Sequence, residues 1–256
     1  MSAPAVEAAG PALSARALRM RLGSREVLRG LNLDLLPGQL AVVIGPNGSG
    51  KSSLLAALAG LRPVEVGSTV SVLGQDARGL SRQALADRLA FLPARADVPF
   101  PLTVEELVLQ GRPRPPAMRW ALEALELEEL RHKPMTRLST GEARRAWLAL
   151  ALARRARVVL LDEPLSGLDP RYQLLLLRAL RELVDAGASV TLVAHDLPYA
   201  AHADRVIALM AGEIVADGRP GDVLTGELLQ KLYGVRVWLN AEPSSGALYP
   251  MPVQVV

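Results

Sequence analysis

The stretch Gly45-Pro46-Asn47-Gly48-Ser49-Gly50-Lys51-Ser52 constrains this chain more than any other because of what flanks it. Before it stands Leu40-Ala41-Val42-Val43-Ile44, an unbroken apolar run of the kind a strand buried on both faces carries. After it, Ser52 to Ala59 is rich in Ala and Leu and stops at Gly60, as a helix does. A strand that opens through such a loop into a helix gives the pattern G-x-x-x-x-G-K-[ST] its structural meaning. Glycine tolerates the backbone angles that turn several amide N–H groups inward at a helix N-terminus, and that cradle holds a chain of phosphates. Lys51 is then placed to reach the β- and γ-phosphates and the Ser52 hydroxyl to ligate Mg²⁺, with Ser53 counted in the same nucleotide-binding segment.

The rest of the chain supports an α/β fold built on a P-loop NTPase core. Val158 to Leu161, Val190 to Ala194 and Val206 to Leu209 are further apolar runs, and they alternate with a long helical pattern from Pro170 to Asp185, which implies a mostly parallel sheet. Leu13 to Leu36 alternates like an antiparallel β edge, broken by Gly23 and Gly30. Val64 to Gly74 predicts another strand, Ser81 to Leu89 a helix and Ala90 to Pro93 a short strand. From about residue 95 to 153 helical patterns replace strands, with Thr103 as an N-cap ahead of Glu105 and Glu106, so this part is expected to be an inserted helical subdomain. Residues 1–12 read as a loose tail and 13–256 as one nucleotide-binding domain; a short helix near Glu227 to Leu232 precedes extended, proline-containing chain.

A metal ion carried by phosphates needs a carboxylate anchor, and Val158-Val159-Leu160-Leu161-Asp162-Glu163 ends a second buried strand with two. Carboxyl ends of neighbouring parallel strands converge on one crevice, so Asp162 is the expected Mg²⁺ partner of Ser52. Glu163, one residue on and pointing elsewhere, is placed to orient or deprotonate the water that attacks the γ-phosphate.

These elements would suit many nucleotide hydrolases. Leu138-Ser139-Thr140-Gly141-Glu142 and the helical run Ala143 to Ala153 narrow the field: Ser139 can cap that helix and leave a second anion site near Gly141. This stretch resembles the signature sequence of ATP-binding cassette (ABC) ATPases. The order continues with Ser166-Gly167-Leu168-Asp169, similar to the family's D-loop, and with His195 after an apolar strand, similar to its switch histidine. The resemblance covers about Leu13 to Gly234. It implies two such domains paired head to tail, with ATP and Mg²⁺ held between one protomer's Lys51 loop and the partner's Ser139, Thr140, Gly141 and Glu142. It further implies that His195 contacts the γ-phosphate and that Asp169 links the two sites. His132 and His202 carry no such pattern and read as solvated residues.

The chain departs from the family at several places. The glutamine expected after Phe91-Leu92-Pro93 is Ala94, whose methyl cannot ligate a metal, and Arg95 cannot replace it because a guanidinium repels Mg²⁺. The aromatic that stacks on adenine falls at Leu22, which predicts weaker adenine binding and a raised ATP requirement. Thr140 takes the place of a glycine and needs a negative φ.

Composition removes other classes. A net charge of +3, with all but three of the 29 basic residues arginine and those scattered, gives no nucleic-acid face. The absence of cysteine excludes disulfides, thiolate metal sites and cysteine nucleophiles. No apolar run reaches the roughly 18–20 residues that cross a bilayer. The resemblance therefore implies separate transmembrane permease subunits, a periplasmic or surface substrate-binding protein acting indirectly, and a peripheral place at the cytoplasmic face of the inner membrane. The permease-docking surface is expected near Arg95 to Pro101 and Arg112 to Trp120. Phrases such as Gly212-Glu213-Ile214-Val215-Ala216-Asp217-Gly218 and Leu232-Tyr233-Gly234-Val235 are most similar to ATPases of iron-siderophore, haem and cobalamin importers. A weakly hydrolysing regulatory cassette and an ABC ATPase without transport work are the alternatives.

Overall fold

The computed structural model describes residues 10–96, 101–194, 197–241 and 248–255. In chain order the elements are β1 (Leu13–Leu22), β2 (Arg25–Leu35), β3 (Gln39–Ile44), α1 (Lys51–Leu58), β4 (Thr69–Val72), β5 (Gln75–Asp76), α2 (Arg82–Ala86), β6 (Leu89–Leu92), α3 (Val104–Leu109), α4 (Pro115–Ala124), α5 (Thr140–Ala153), β7 (Val158–Asp162), α6 (Pro170–Asp185), β8 (Ser189–Val193), α7 (Leu197–Ala200), β9 (Arg205–Met210), β10 (Glu213–Gly218), α8 (Pro220–Val223), α9 (Gly226–Tyr233), β11 (Val235–Ala241) and β12 (Leu248–Val255).

A six-stranded sheet of order β10-β9-β3-β8-β7-β6 organises the molecule. Its pairs β3·β8, β3·β9, β7·β8 and β6·β7 are parallel, and only β10 runs antiparallel, beside β9. The apolar runs of β3, β7 and β8 are needed because both faces are covered. Leu40, Val42, Ile44, Val159, Leu161, Val190 and Leu192 enter one core with α5 and α6, whereas Ala41, Val43, Val158, Leu160 and Val193 enter another with α1. Helix α6 supplies Leu176, Ala179, Leu180, Leu183 and Val184 to the first core, the spacing of a single helical face.

The expected antiparallel edge is a sheet of its own, of order β2-β1-β4-β5. Strands β1 and β2 join through Leu22 and Arg25, and their inward residues Leu18, Leu28, Leu31 and Leu33 pack on the α1 side. The strand expected from Val64 shortens to Thr69–Val72, and the helix expected over Ser81 to Leu89 to Arg82–Ala86, capped by the Ser81 hydroxyl. The carboxy-terminal chain, expected to be merely extended, forms the antiparallel pair β11·β12, a pairing whose non-local partner strand periodicity does not announce.

Between β6 and β7, helices α3 and α4 pack on α5 through Val104, Leu107, Val108, Met118, Ala121 and Leu122. Thr103 caps α3 as expected, with a reciprocal bond between its hydroxyl and Glu106. Among the described residues no helix is long and apolar enough to cross a membrane.

Candidate functional site

The glycine-rich loop leaves β3 and enters α1 through backbone that only glycine adopts easily. Gly45, Gly48 and Gly50 have φ of 148°, 76° and 107°. A Cβ at Gly45 would stand 2.0 Å from the Leu209 carbonyl oxygen, so the loop is pressed against β9. The Gly45 N–H donates to the Tyr233 hydroxyl at 3.0 Å, and the Gly212 N–H donates to the Ser49 carbonyl at 2.9 Å. Ser49 is buried, as is Lys51, while Pro46 is partly covered and Asn47 and Gly48 face solvent.

The Lys51 ammonium donates to the carbonyls of Gly45 at 2.7 Å and Pro46 at 3.0 Å. Burial lowers its pKa, and the nearby charges of Glu163 and Asp162 oppose that shift. A cation held at the mouth of the loop, with carboxylates behind it, is suited to receive phosphate oxygens.

Asp162 ends β7 at 4% exposure. The Ser52 hydroxyl and the Ala94 backbone N–H stand near enough to its carboxylate to lower its pKa, yet burial outweighs both and raises it. Its Oδ1 has no hydrogen-bond partner among the described residues. A buried carboxylate oxygen with spare capacity beside a serine hydroxyl is a hard-oxygen donor pair, the kind that holds Mg²⁺ together with phosphate oxygens and water. No group of three or more acidic, His or Cys residues that could hold an ion occurs among the described residues.

Glu163 follows with φ of 50°, in the left-handed region where a side chain is strained. The Arg144 guanidinium, reaching across from α5, donates to the Asp162 carbonyl at 3.1 Å and the Glu163 carbonyl at 2.7 Å. It also donates to the Pro93 carbonyl at 3.2 Å and the Ala94 carbonyl at 3.1 Å. Position 94 thus takes part through its backbone, not through a side chain.

Ser139 caps α5: its hydroxyl accepts from the Glu142 N–H at 3.2 Å, and Glu142 Oε2 accepts from the Ser139 N–H at 2.8 Å. That bond is the main reason the Glu142 carboxyl lies below its ordinary pKa; Lys133, at 3.3 Å, adds to it. Thr140 is the first helical residue and is not among the side-chain-bearing residues with positive φ, so its place in the motif is unstrained. Ser139 and Thr140 are exposed and Gly141 is partly so, and a Cβ on Gly141 would lie 3.7 Å from the Gly167 carbonyl. Asp169, exposed, precedes Pro170 at the start of α6.

The structure therefore brings Lys51, Ser52, Asp162 and Glu163 to one end of the parallel sheet. It sets Ser139 to Glu142 at the start of α5 and Asp169 at the start of α6, with Ser139, Thr140 and Asp169 exposed. His195 lies outside the described residues, just beyond β8. Leu22, the expected adenine neighbour, is exposed at the end of β1. Arg144 and Tyr233 were not anticipated as site residues; a long basic or phenolic side chain in an otherwise apolar helical stretch was the only available signal.

A cleft of about 750 Å³ lies elsewhere, lined by Gln83, Gln110, Arg112, Arg114, Arg154 and Arg155 among others. A smaller cavity of about 230 Å³ adjoins Glu163, Ser166, Gln173 and Tyr199.

A sequence profile of the ABC transporter family matches residues 28–166. The chain is 40% identical over 261 residues to the hemin import ATP-binding protein HmuV of Streptomyces coelicolor, covering 97% of this chain and 93% of that protein. It is 34% identical over 250 residues to the ferric enterobactin transport ATP-binding protein FepC of Escherichia coli, covering 92% of each. Among solved structures, a putative metal-chelate type ABC transporter in an inward-facing conformation superposes with a TM-score of 0.78 at 25% identity, over 96% of this chain and 98% of that one.

Proposed function

Because the chain belongs to the ABC transporter family, we propose that it is the ATP-hydrolysing subunit of a membrane importer for metal chelates of the haem or iron-siderophore class. The observation that carries the enzymatic part is the buried Asp162 carboxylate, with one oxygen unpartnered among the described residues, set near the Ser52 hydroxyl and the Lys51 ammonium. The relatives that transport hemin and ferric enterobactin cover nearly the whole chain and support the cargo class.

In this reading the loop amides of Gly45 to Ser52 and the start of α1 hold the phosphates of ATP, and Lys51 binds the β- and γ-phosphate oxygens. Ser52 and Asp162 hold Mg²⁺, which neutralises charge that builds on the phosphates. Glu163 orients the attacking water and takes its proton as the oxygen bonds to the γ-phosphorus and the bond to ADP breaks. His195 contacts the γ-phosphate. Ser139, Thr140, Gly141 and Glu142 close over the nucleotide of a second copy, whose own segment completes this site, and Asp169 connects the two. The exposed Ser139 and Thr140 at the cap of α5 support this pairing.

A separate permease docks against the helical side, at the cleft lined by Arg112, Arg114 and Arg154, and the chain works peripherally at the inner membrane's cytoplasmic face. The substrate-binding protein acts through that permease.

Glu163→Gln tests the function. The substituted protein should bind Mg-ATP, dimerise and retain unhydrolysed ATP, whereas the native chain reconstituted with its permease turns ATP over. Absence of turnover with the permease present would refute the enzyme, and saturation at very low ATP would refute weak adenine binding at Leu22.

A further inference from the structure

Arg144 stands in the second turn of α5, five residues from the Ser139 cap, and it is not part of the machinery assigned above. Its two terminal nitrogens bond four backbone carbonyls, those of Pro93 and Ala94 after β6 and those of Asp162 and Glu163 after β7. These two loops flank one end of the parallel sheet, and among the described residues Arg144 is the α5 side chain that bonds their carbonyls. The Arg144 Nε finds no acceptor among the described residues, so the hold rests on the forked end of the guanidinium alone.

Two features argue for more than filling space. First, Glu163 sits at φ of 50°, a conformation that persists only where surroundings enforce it, and the shortest of the four bonds, at 2.7 Å, falls on its own carbonyl. Second, the Pro93–Ala94 peptide is held from both sides: its carbonyl accepts from Arg144 at 3.2 Å, and its N–H faces the Asp162 carboxylate. Arg144 is partly withdrawn from water, where a cation is costly unless its hydrogen bonds are satisfied, and a lysine, with three donors on one nitrogen, cannot serve four carbonyls.

We infer that Arg144 is a positioning residue that locks the Ala94 and Glu163 peptides to the signature helix, fixing the Asp162 and Glu163 carboxylates for hydrolysis. It makes the half-site a protomer uses itself and the half-site it lends to a partner parts of one rigid unit, in a chain whose residue 94 offers no side chain for the purpose. The inference rests on the ATPase reading above.

The test compares the full chain with Arg144→Ala, Arg144→Lys and Glu163→Gln. Three quantities are measured: binding of a fluorescent ATP analogue, steady-state turnover across Mg-ATP concentration, and amide hydrogen exchange at Ala94 and Ser166. The Ser166 N–H bonds the Glu163 carbonyl, so both amides report on the clamped loops. Arg144→Ala should lose about 10- to 100-fold in turnover, as removal of a residue that orients ligating groups does, while nucleotide affinity changes by less than about threefold. Exchange at Ala94 and Ser166 should rise while the α6 amides stay protected. Arg144→Lys should fall between and carries the test if the alanine variant does not fold.

Unchanged turnover and exchange would overturn the inference. So would affinity and turnover falling together with exchange rising throughout, the pattern of a purely structural contact. Should the native chain bind ATP yet never hydrolyse it, behaving as Glu163→Gln does, the ATPase reading fails separately; exchange at Ala94 and Ser166 still decides whether Arg144 holds the loops.

Discussion

The Tyr233 hydroxyl accepts the backbone N–H of Gly45 at 3.0 Å, across 188 residues of sequence. Helix α9 thereby grips the first amide of the glycine-rich loop, and burial raises the phenol's pKa, so it stays neutral and able to accept. Tyr233→Phe removes the acceptor and little else. Leaving the Gly45 N–H unpaired should cost about 1–3 kcal/mol of stability. Thermal melting and Mg-ATP titration check this: the melting temperature should fall and ATP affinity should weaken several-fold.

Asp162→Asn should stabilise the fold as it abolishes ATP hydrolysis. Burial raises the carboxyl's pKa, chiefly against the pull of the Ser52 hydrogen bond. The folded chain therefore favours the protonated form, and this group's contribution worsens as pH climbs from the ordinary aspartate range, about 3.9, to the raised folded value. At neutral pH the substitution should raise the melting temperature by about 2–4 °C without nucleotide, and the gain should vanish in acid. Scanning calorimetry across pH measures it.

Glu142→Gln should behave oppositely. The Ser139 N–H, with help from Lys133, lowers this carboxyl's pKa, so the stability it lends is present above the ordinary glutamate value and disappears as pH falls through the folded one. Glutamine keeps the capping bond but loses the charge at the helix start, which should cost about 0.3–1 kcal/mol at pH 7. Denaturant unfolding at neutral and acid pH should show the difference shrinking.

Gly45→Ala and Gly48→Ala should separate sharply. At Gly45 the new methyl would meet the Leu209 carbonyl at 2.0 Å; at Gly48 the nearest atom is an Arg25 nitrogen 4.0 Å away. The first should cost about 3 kcal/mol from strain and overpacking, the second about 1 kcal/mol from its positive φ alone. Urea midpoints of the two proteins test the contrast.

How much was legible in the residues follows from how local each signal is. Pro170 to Asp185 is a helix with those ends because Pro at its first turn and a single apolar stripe act within a few residues. The loop at Lys51 was legible because a strand, glycines and a helix are contiguous. The pairing of Asp162 with Ser52 followed from parallel topology, although the burial that lifts its pKa did not. What escaped depends on contacts far apart in sequence: Arg144 meeting the loops after β6 and β7, Tyr233 meeting Gly45, and β11 finding β12. The separate sheet β2-β1-β4-β5 was hidden for the same reason, since alternation reports a strand's faces but not its neighbours.

Helix α5 has its Ser139 cap at one end and Arg154, which lines the cleft and bonds the Ala86 carbonyl, at the other. Fourteen helical residues make a rod of about 21 Å, and the i to i−4 bonds along it leave little slack. That rod joins the cleft wall at Arg154 to the four carbonyls held by Arg144, so one stiff strut spans the distance between two surfaces that the sequence keeps in separate segments.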